Sequence, residues 1–160
     1  MAVANPLPSD ETRLYAMTTL DDIVDIFELL EDWEQRYQYL IELGEKLPPM
    51  PAEPKTENNK VKGCMSQVWV KAYKDSTDAN KLHYYGDCDT SIIKGVLALL
   101  IQLADNKTAD ELDQLDVDEI FERLNLDDHL SPNRHVGVYA IVELMKQQAR
   151  DLQKRRVRVA

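Results

Sequence analysis

Apolar positions along the chain change spacing several times, and those changes mark out its elements. In "TTLDDIVDIFELL", Ile23, Ile26, Phe27 and Leu30 recur at helical spacing behind Thr18 or Thr19, with an acid three positions on. That is an N-cap signal of the capping-box kind. A second start follows in "EDWEQRYQYLIELGEKL", where Asp32 caps toward Gln35 and Trp33, Tyr37, Leu40 and Ile41 share one face. Gly44 reads as its C-terminal stop. The segment is two helices, or one long helix kinked near Asp32. Residues 47–63 carry four prolines and no period, so they form a long loop, a kind usually functional or disordered.

The period then drops to two. "SQVWVKAY" places Val68, Val70 and Ala72 on one side and Trp69, Lys71 and Tyr73 on the other. A polar turn leads to "LHYYG", which predicts an antiparallel hairpin. No helix separates the two strands, so parallel βαβ units are disfavoured. From Ile92 to Leu103 the chain is apolar nearly all round, the mark of a buried central helix. Two short capped segments follow, and "SPNRHVGVYAIVELMKQQARDLQKR" opens a long helix with Ser131 as cap and Pro132 at the first helical position. The expected fold is α+β: a small antiparallel sheet with helices packed on it. The expected organisation is a loose arm at 1–17, one domain over 18–153, and a basic tail at 154–160.

Composition changes this picture little. The chain has 160 residues, 44% hydrophobic and 30% charged, which fits one soluble globular domain. The longest apolar run, residues 95–101, is far too short to cross a bilayer. The N-terminus lacks a basic start and a sustained apolar stretch, so the expected location is cytoplasmic. A net charge of −10 argues against a nucleic-acid partner, which would call for clustered cations. Residues 146–160 stand apart, with six basic residues against one acid. The ordinary reading of that run is a solvated helix end whose cations complement the helix dipole.

Chemistry narrows to a thiol. Two cysteines in a cytoplasmic chain make a structural disulfide unexpected. Cys64, Cys88, His83, His129 and His135 show no metal-ligand spacing, so no metal site is expected. Cys64 sits between the proline-rich loop and the first strand. Gly63 lets the chain bend there and another backbone approach. Lys62, two residues before, would favour the thiolate over a reference pKa of about 8.5. A cysteine hydrolase needs a histidine base and an oxyanion hole, and no spacing pairs these histidines with Cys64. Sulfur exchange needs only a thiolate and a good leaving group.

"VKGCMSQVWV" resembles the signature of the SufE family, V-x-G-C-x-S-x-V-W, at Val61, Gly63, Cys64, Ser66, Val68 and Trp69. Three further segments are similar in order: "DWEQRYQYLIELGEKLPP", "DCDTSIIKGVLALLI" and "LSPNRHVGVYAI", the last with Arg134 and Gly137 in place. His135, Val136 and Val138 depart from the family's usual residues, and Cys88 stands where the family commonly has serine. The resemblance implies a curved antiparallel sheet of about three strands with helices on it, a fold shared with the IscU scaffold. This chain lacks the three spaced cysteines of such a scaffold.

The resemblance also implies a function. Cys64 would take persulfide sulfur from a SufS-type cysteine desulfurase, stimulate that enzyme, and pass sulfur to a SufB-containing scaffold that builds iron–sulfur clusters. The chain itself would need no cofactor, since pyridoxal phosphate belongs to the desulfurase, and it would be a sulfur-transfer partner rather than a stand-alone enzyme. Arg134 would face the Cys64 region, to contact the desulfurase or steady sulfur anion; its plain alternative is an ion pair with a nearby acid. Asp87 and Asp89 are expected to cap the central helix. Trp69, Tyr84 and Tyr85 are expected in core or sheet packing. Cys88 is either a buried small residue or a thiol that resolves a persulfide. Other readings stay open: an adaptor that regulates a desulfurase by binding alone, an acceptor serving a paralogous CsdA-type desulfurase, a metal-binding scaffold, and a homodimer.

Overall fold

The computed structural model describes residues 19–159, with side chains described to Lys154. The arm expected at 1–17 lies outside the described residues, as do the side chains of the basic tail from 155 on. The tail's backbone is helical as far as Val159.

Helix α1 (Leu20–Leu29) starts with Thr19, whose side chain accepts from the Asp22 amide while Asp22 returns the bond. Two helices form rather than one, because Leu30 turns extended and Asp32 caps the second, α2 (Trp33–Glu45), through the Gln35 amide. Arg36 closes the break: its Nε donates to Phe27 O at 3.1 Å and its Nη2 to Leu30 O at 3.2 Å. After a 3₁₀ turn at Glu57–Asn59 come β1 (Val68–Lys74) and β2 (Leu82–Cys88), paired antiparallel with Val68 opposite Cys88 and Lys74 opposite Leu82. Then follow α3 (Ser91–Ala104), α4 (Ala109–Asp113), α5 (Val117–Leu124) and α6 (Pro132–Val159).

The α+β architecture is as the apolar pattern predicts, but among the described residues the sheet has two strands, not about three. The outer edge of β1 is satisfied piecemeal. Lys60 bridges to Trp69, and the Val61 amide donates to Val68 O at 2.8 Å. Farther along, the Gln148 side chain of α6 accepts from the Ala72 amide at 2.8 Å and donates to Val70 O at 2.9 Å. A side-chain amide carries the same donor and acceptor as a peptide group, so it completes the edge where a strand would otherwise run.

One face of the hairpin carries the core. Val68, Val70, Ala72, Tyr84, Gly86 and Cys88 are buried, covered by α3 and α6. Gly86 leaves room for Ile101 and Leu97, and Tyr84 donates its hydroxyl to Met145 O at 2.7 Å. On the other face Tyr85 stacks on Tyr73, and Lys55 lies 5.4 Å over the Trp69 ring. Gly44 is not a helix stop. It is buried inside α2, where a Cβ would lie 2.9 Å from the Gly95 amide nitrogen, while a Cβ on Gly95 would fall 2.1 Å from Leu40 O. The pair lets α2 and the apolar α3 touch backbone to backbone.

Candidate functional site

Cys64 lies on the loop between the 3₁₀ turn and β1, half-buried and with a free thiol. Val61 is anchored to β1, and Gly63 then takes φ +86°, a conformation that favours glycine. That turn carries Cys64 back onto the second turn of α6. There Gly137 is bare: a Cβ on it would stand 2.8 Å from the Cys64 Sγ and 3.5 Å from its Cβ. Position 137 is thus a seat for the thiol. Helix glycines are unfavourable by roughly 0.5–1 kcal/mol relative to alanine, so a glycine there is a signal of close approach.

A surface cleft of about 290 Å³ opens beside the thiol, lined by Cys64, Met65, Ser66, Thr90, Asn133 and Arg134 among others. Cys64, Ser66 and Arg134 therefore share one site. Arg134 gets there because Ser131 Oγ accepts its amide at 3.4 Å at the start of α6. Lys62 does not join them. Its Nζ bonds Glu57 Oε2 at 2.6 Å on an exposed surface, and it lines a separate groove with Ala140 and Glu143. The Lys62 hydrogen bond, then its charge, hold the Glu57 carboxyl below its ordinary range. The cation expected beside the thiol is engaged elsewhere.

Asp89 and Thr90 line the cleft, at the end of the segment 87–90. Asp87 and Asp89 do not cap α3. Asp87 bonds Lys55 at 2.5 Å, lies 3.4 Å from Lys94, and accepts the Cys88 amide. Burial opposes its ionisation, but the bond from Lys55, the Cys88 amide and the two lysine charges outweigh burial and hold its carboxyl below the usual range. Asp89 instead holds the cysteine loop: its Oδ1 accepts the Gln67 amide at 3.0 Å and its own amide donates to Gln67 O at 3.2 Å. Cys88, at the end of β2, is 6% exposed. Its Sγ accepts from the Thr90 amide at 3.4 Å, and burial pushes its thiol up to about 11. At neutral pH it is a protonated, weak nucleophile.

None of the three histidines lines the cleft. His83 is clamped between Asp105 and Asp75, His129 stacks on Trp33, and His135 packs on Phe121. Among the described residues no cluster of three or more His, Cys, Asp or Glu side chains could hold a metal ion, and no helix is long and apolar enough to cross a membrane. The cleft lining offers a thiol, hydroxyls and the side chain of Arg134.

The rim is apolar. Among described residues the exposed large hydrophobics are Leu29, Met65, Val136 and Tyr139, with Met65 83% and Val136 58% exposed. Three of these four border the cysteine loop or sit on the opening turns of α6. Met65 is legible in sequence only as the variable position of a motif, and no local signal sets Val136 beside Gly137 as a surface residue.

A family model described as "SufE: Fe-S metabolism associated domain" matches residues 21–149. An uncharacterized SufE-like protein of Rhizobium meliloti (strain 1021) is 39% identical over 135 residues, covering 83% of this chain and 96% of its own. Another, from Rhizobium etli, is 39% identical over 145 residues, covering 90% and 97%. The solution structure of a hypothetical protein from Thermus thermophilus superposes with a TM-score of 0.69 over 84% of this chain and 96% of that one. At 21% identity that likeness speaks for the fold alone.

Proposed function

The chain belongs to the SufE family, and from that premise we propose that Cys64 accepts persulfide sulfur from a PLP-dependent cysteine desulfurase of the SufS type. The Cys64 thiolate attacks the outer sulfur of the desulfurase's cysteine persulfide. A new S–S bond forms on Cys64, the old one breaks, and the desulfurase cysteine leaves as a thiolate. No oxidant or reductant is consumed. Removing that sulfur frees the desulfurase for another turnover, and Cys64 then hands its sulfur to the SufB-containing scaffold.

The observation that carries this reading is the seat of Cys64: a thiol at a cleft with Ser66 and Arg134 and without a histidine base. The chain's own groups contribute position and charge. Arg134 offers a cation toward an anionic persulfide, and partial burial against Gly137 limits side reactions with solvent. Met65, exposed at the cleft, offers apolar surface to a partner that brings two sulfur atoms into bonding range.

Cys64→Ser tests the reading against an adaptor that works by binding alone. An acceptor loses desulfurase stimulation in this variant while still binding the enzyme. Stimulation that survives the substitution would favour the adaptor. Assays with paralogous desulfurases side by side assign the partner.

A further inference from the structure

Among the described residues three threonines precede α-helices at the capping position, and one of them makes no capping bond. Thr19 and Thr108 accept the amides of Asp22 and Glu111 at 3.2 and 3.1 Å and complete reciprocal boxes. Thr90 occupies the same place before α3, with extended φ −117° and ψ 124°, yet its side chain makes no capping bond. A capping threonine ordinarily satisfies an orphan amide of the first turn. This one has turned its hydroxyl away.

The hydroxyl goes to the cysteine loop. Thr90 Oγ1 lies 2.7 Å from Ser66 Oγ and donates to Asp89 Oδ1 at 3.2 Å. A carboxylate only accepts, and threonine has a single hydroxyl proton. With that proton on Asp89, the Thr90 oxygen accepts the proton of Ser66. The same Asp89 oxygen also accepts the Gln67 amide. Asp89 and Thr90 thus grip Ser66 and Gln67, the two residues that follow Met65. From the opposite side Gly137 receives the thiol.

We infer that Thr90 is a positioning residue for Cys64, its hydroxyl diverted from the helix cap to latch the loop through Ser66 and keep the thiol seated against Gly137. The purpose of the latch rests on the acceptor reading, but its existence is read from thiol accessibility with no desulfurase present. A stronger latch holds the thiol back from small reagents. Breaking one neutral hydrogen bond shifts the seated fraction by about fivefold.

The test is the rate at which iodoacetamide alkylates Cys64 in the full chain, followed by peptide mass spectrometry so that Cys88 is counted separately. Thr90→Val, of the same shape but without the hydroxyl, should react about fivefold faster than the parent. Thr90→Ser, which restores the hydroxyl, should react at the parent rate. A Thr90→Val rate within about twofold of the parent, or a Thr90→Ser rate as high as that of Thr90→Val, overturns the inference. Should Thr90→Val fail to fold, Ser66→Ala cuts the same bond, and a parental rate there overturns it equally. Failure of a desulfurase to load Cys64 would remove the acceptor reading and leave these rate ratios standing.

Discussion

The Cβ that Gly137 lacks would stand 2.8 Å from the sulfur of Cys64. That relationship joins a loop and a helix 73 positions apart, and it makes residue 137 part of the site without any chemistry of its own.

Gly137→Ala separates site geometry from stability. Alanine in a helix interior gains roughly 0.5–1 kcal/mol over glycine, and the atom it meets is the end of one side chain, which can rotate away. The two effects nearly offset. The melting temperature should therefore stay close to the parent's, while Cys64 is pushed from its seat and alkylates faster. A large loss of stability together with an unchanged alkylation rate would contradict the seat.

Gly95→Ala should behave in the opposite way. Its Cβ would meet Leu40 O at 2.1 Å, and neither helix backbone can yield without losing packing. A cost of about 3 kcal/mol or more is expected, read as a shift in the denaturant midpoint. A variant as stable as the parent would mean that α2 and α3 are not in backbone contact.

Electrostatics away from the site should appear as pH-dependent stability. His83 Nδ1 bonds Asp105 at 2.7 Å and its Nε2 bonds Asp75 at 2.6 Å. The Asp105 bond raises the imidazole most, burial pulls it down, and the Asp75 bond and both charges raise it again, to about 9. A raised histidine stabilises the fold fully below its unfolded pKa of about 6.5, and the effect fades as pH rises through about 9. The His83 bond, followed by those from Thr77, holds the Asp75 carboxyl well below its ordinary range; its own contribution is lost only in acid. His83→Asn should cost about 2 kcal/mol near pH 6, and that gap should close toward pH 10. A gap independent of pH would mean that the clamp holds a neutral ring.

Much of the fold is legible because its signals are local. Thr19, Asp32, Thr108 and Asp116 cap helices within three residues of themselves, and burial alternates over the first six residues of β1 and all seven of β2. What the chain hides depends on partners far along it. At the outer edge of β1 the Ala72 amide is satisfied by Gln148, 76 positions away. Asp89 reads as a cap residue until the loop at Gln67 claims it. Lys62 stands near Cys64 in sequence, yet Glu57 five positions earlier takes its ammonium. Gly44 has the look of a terminator, since nothing local announces that Gly95 lies across from it. The site residues Cys64, Ser66 and Arg134 come from a family motif rather than from periodicity, and Met65, Thr90 and the seat at Gly137 come from geometry.

The central claim is that Cys64 receives sulfur. Intact-mass spectrometry after incubation with a cysteine desulfurase and cysteine, without reductant, tests it most directly. The expected result is a gain of one sulfur atom that vanishes in Cys64→Ser and persists in Cys88→Ser. No gain with a desulfurase from the same cell, or a gain that survives Cys64→Ser, would contradict it.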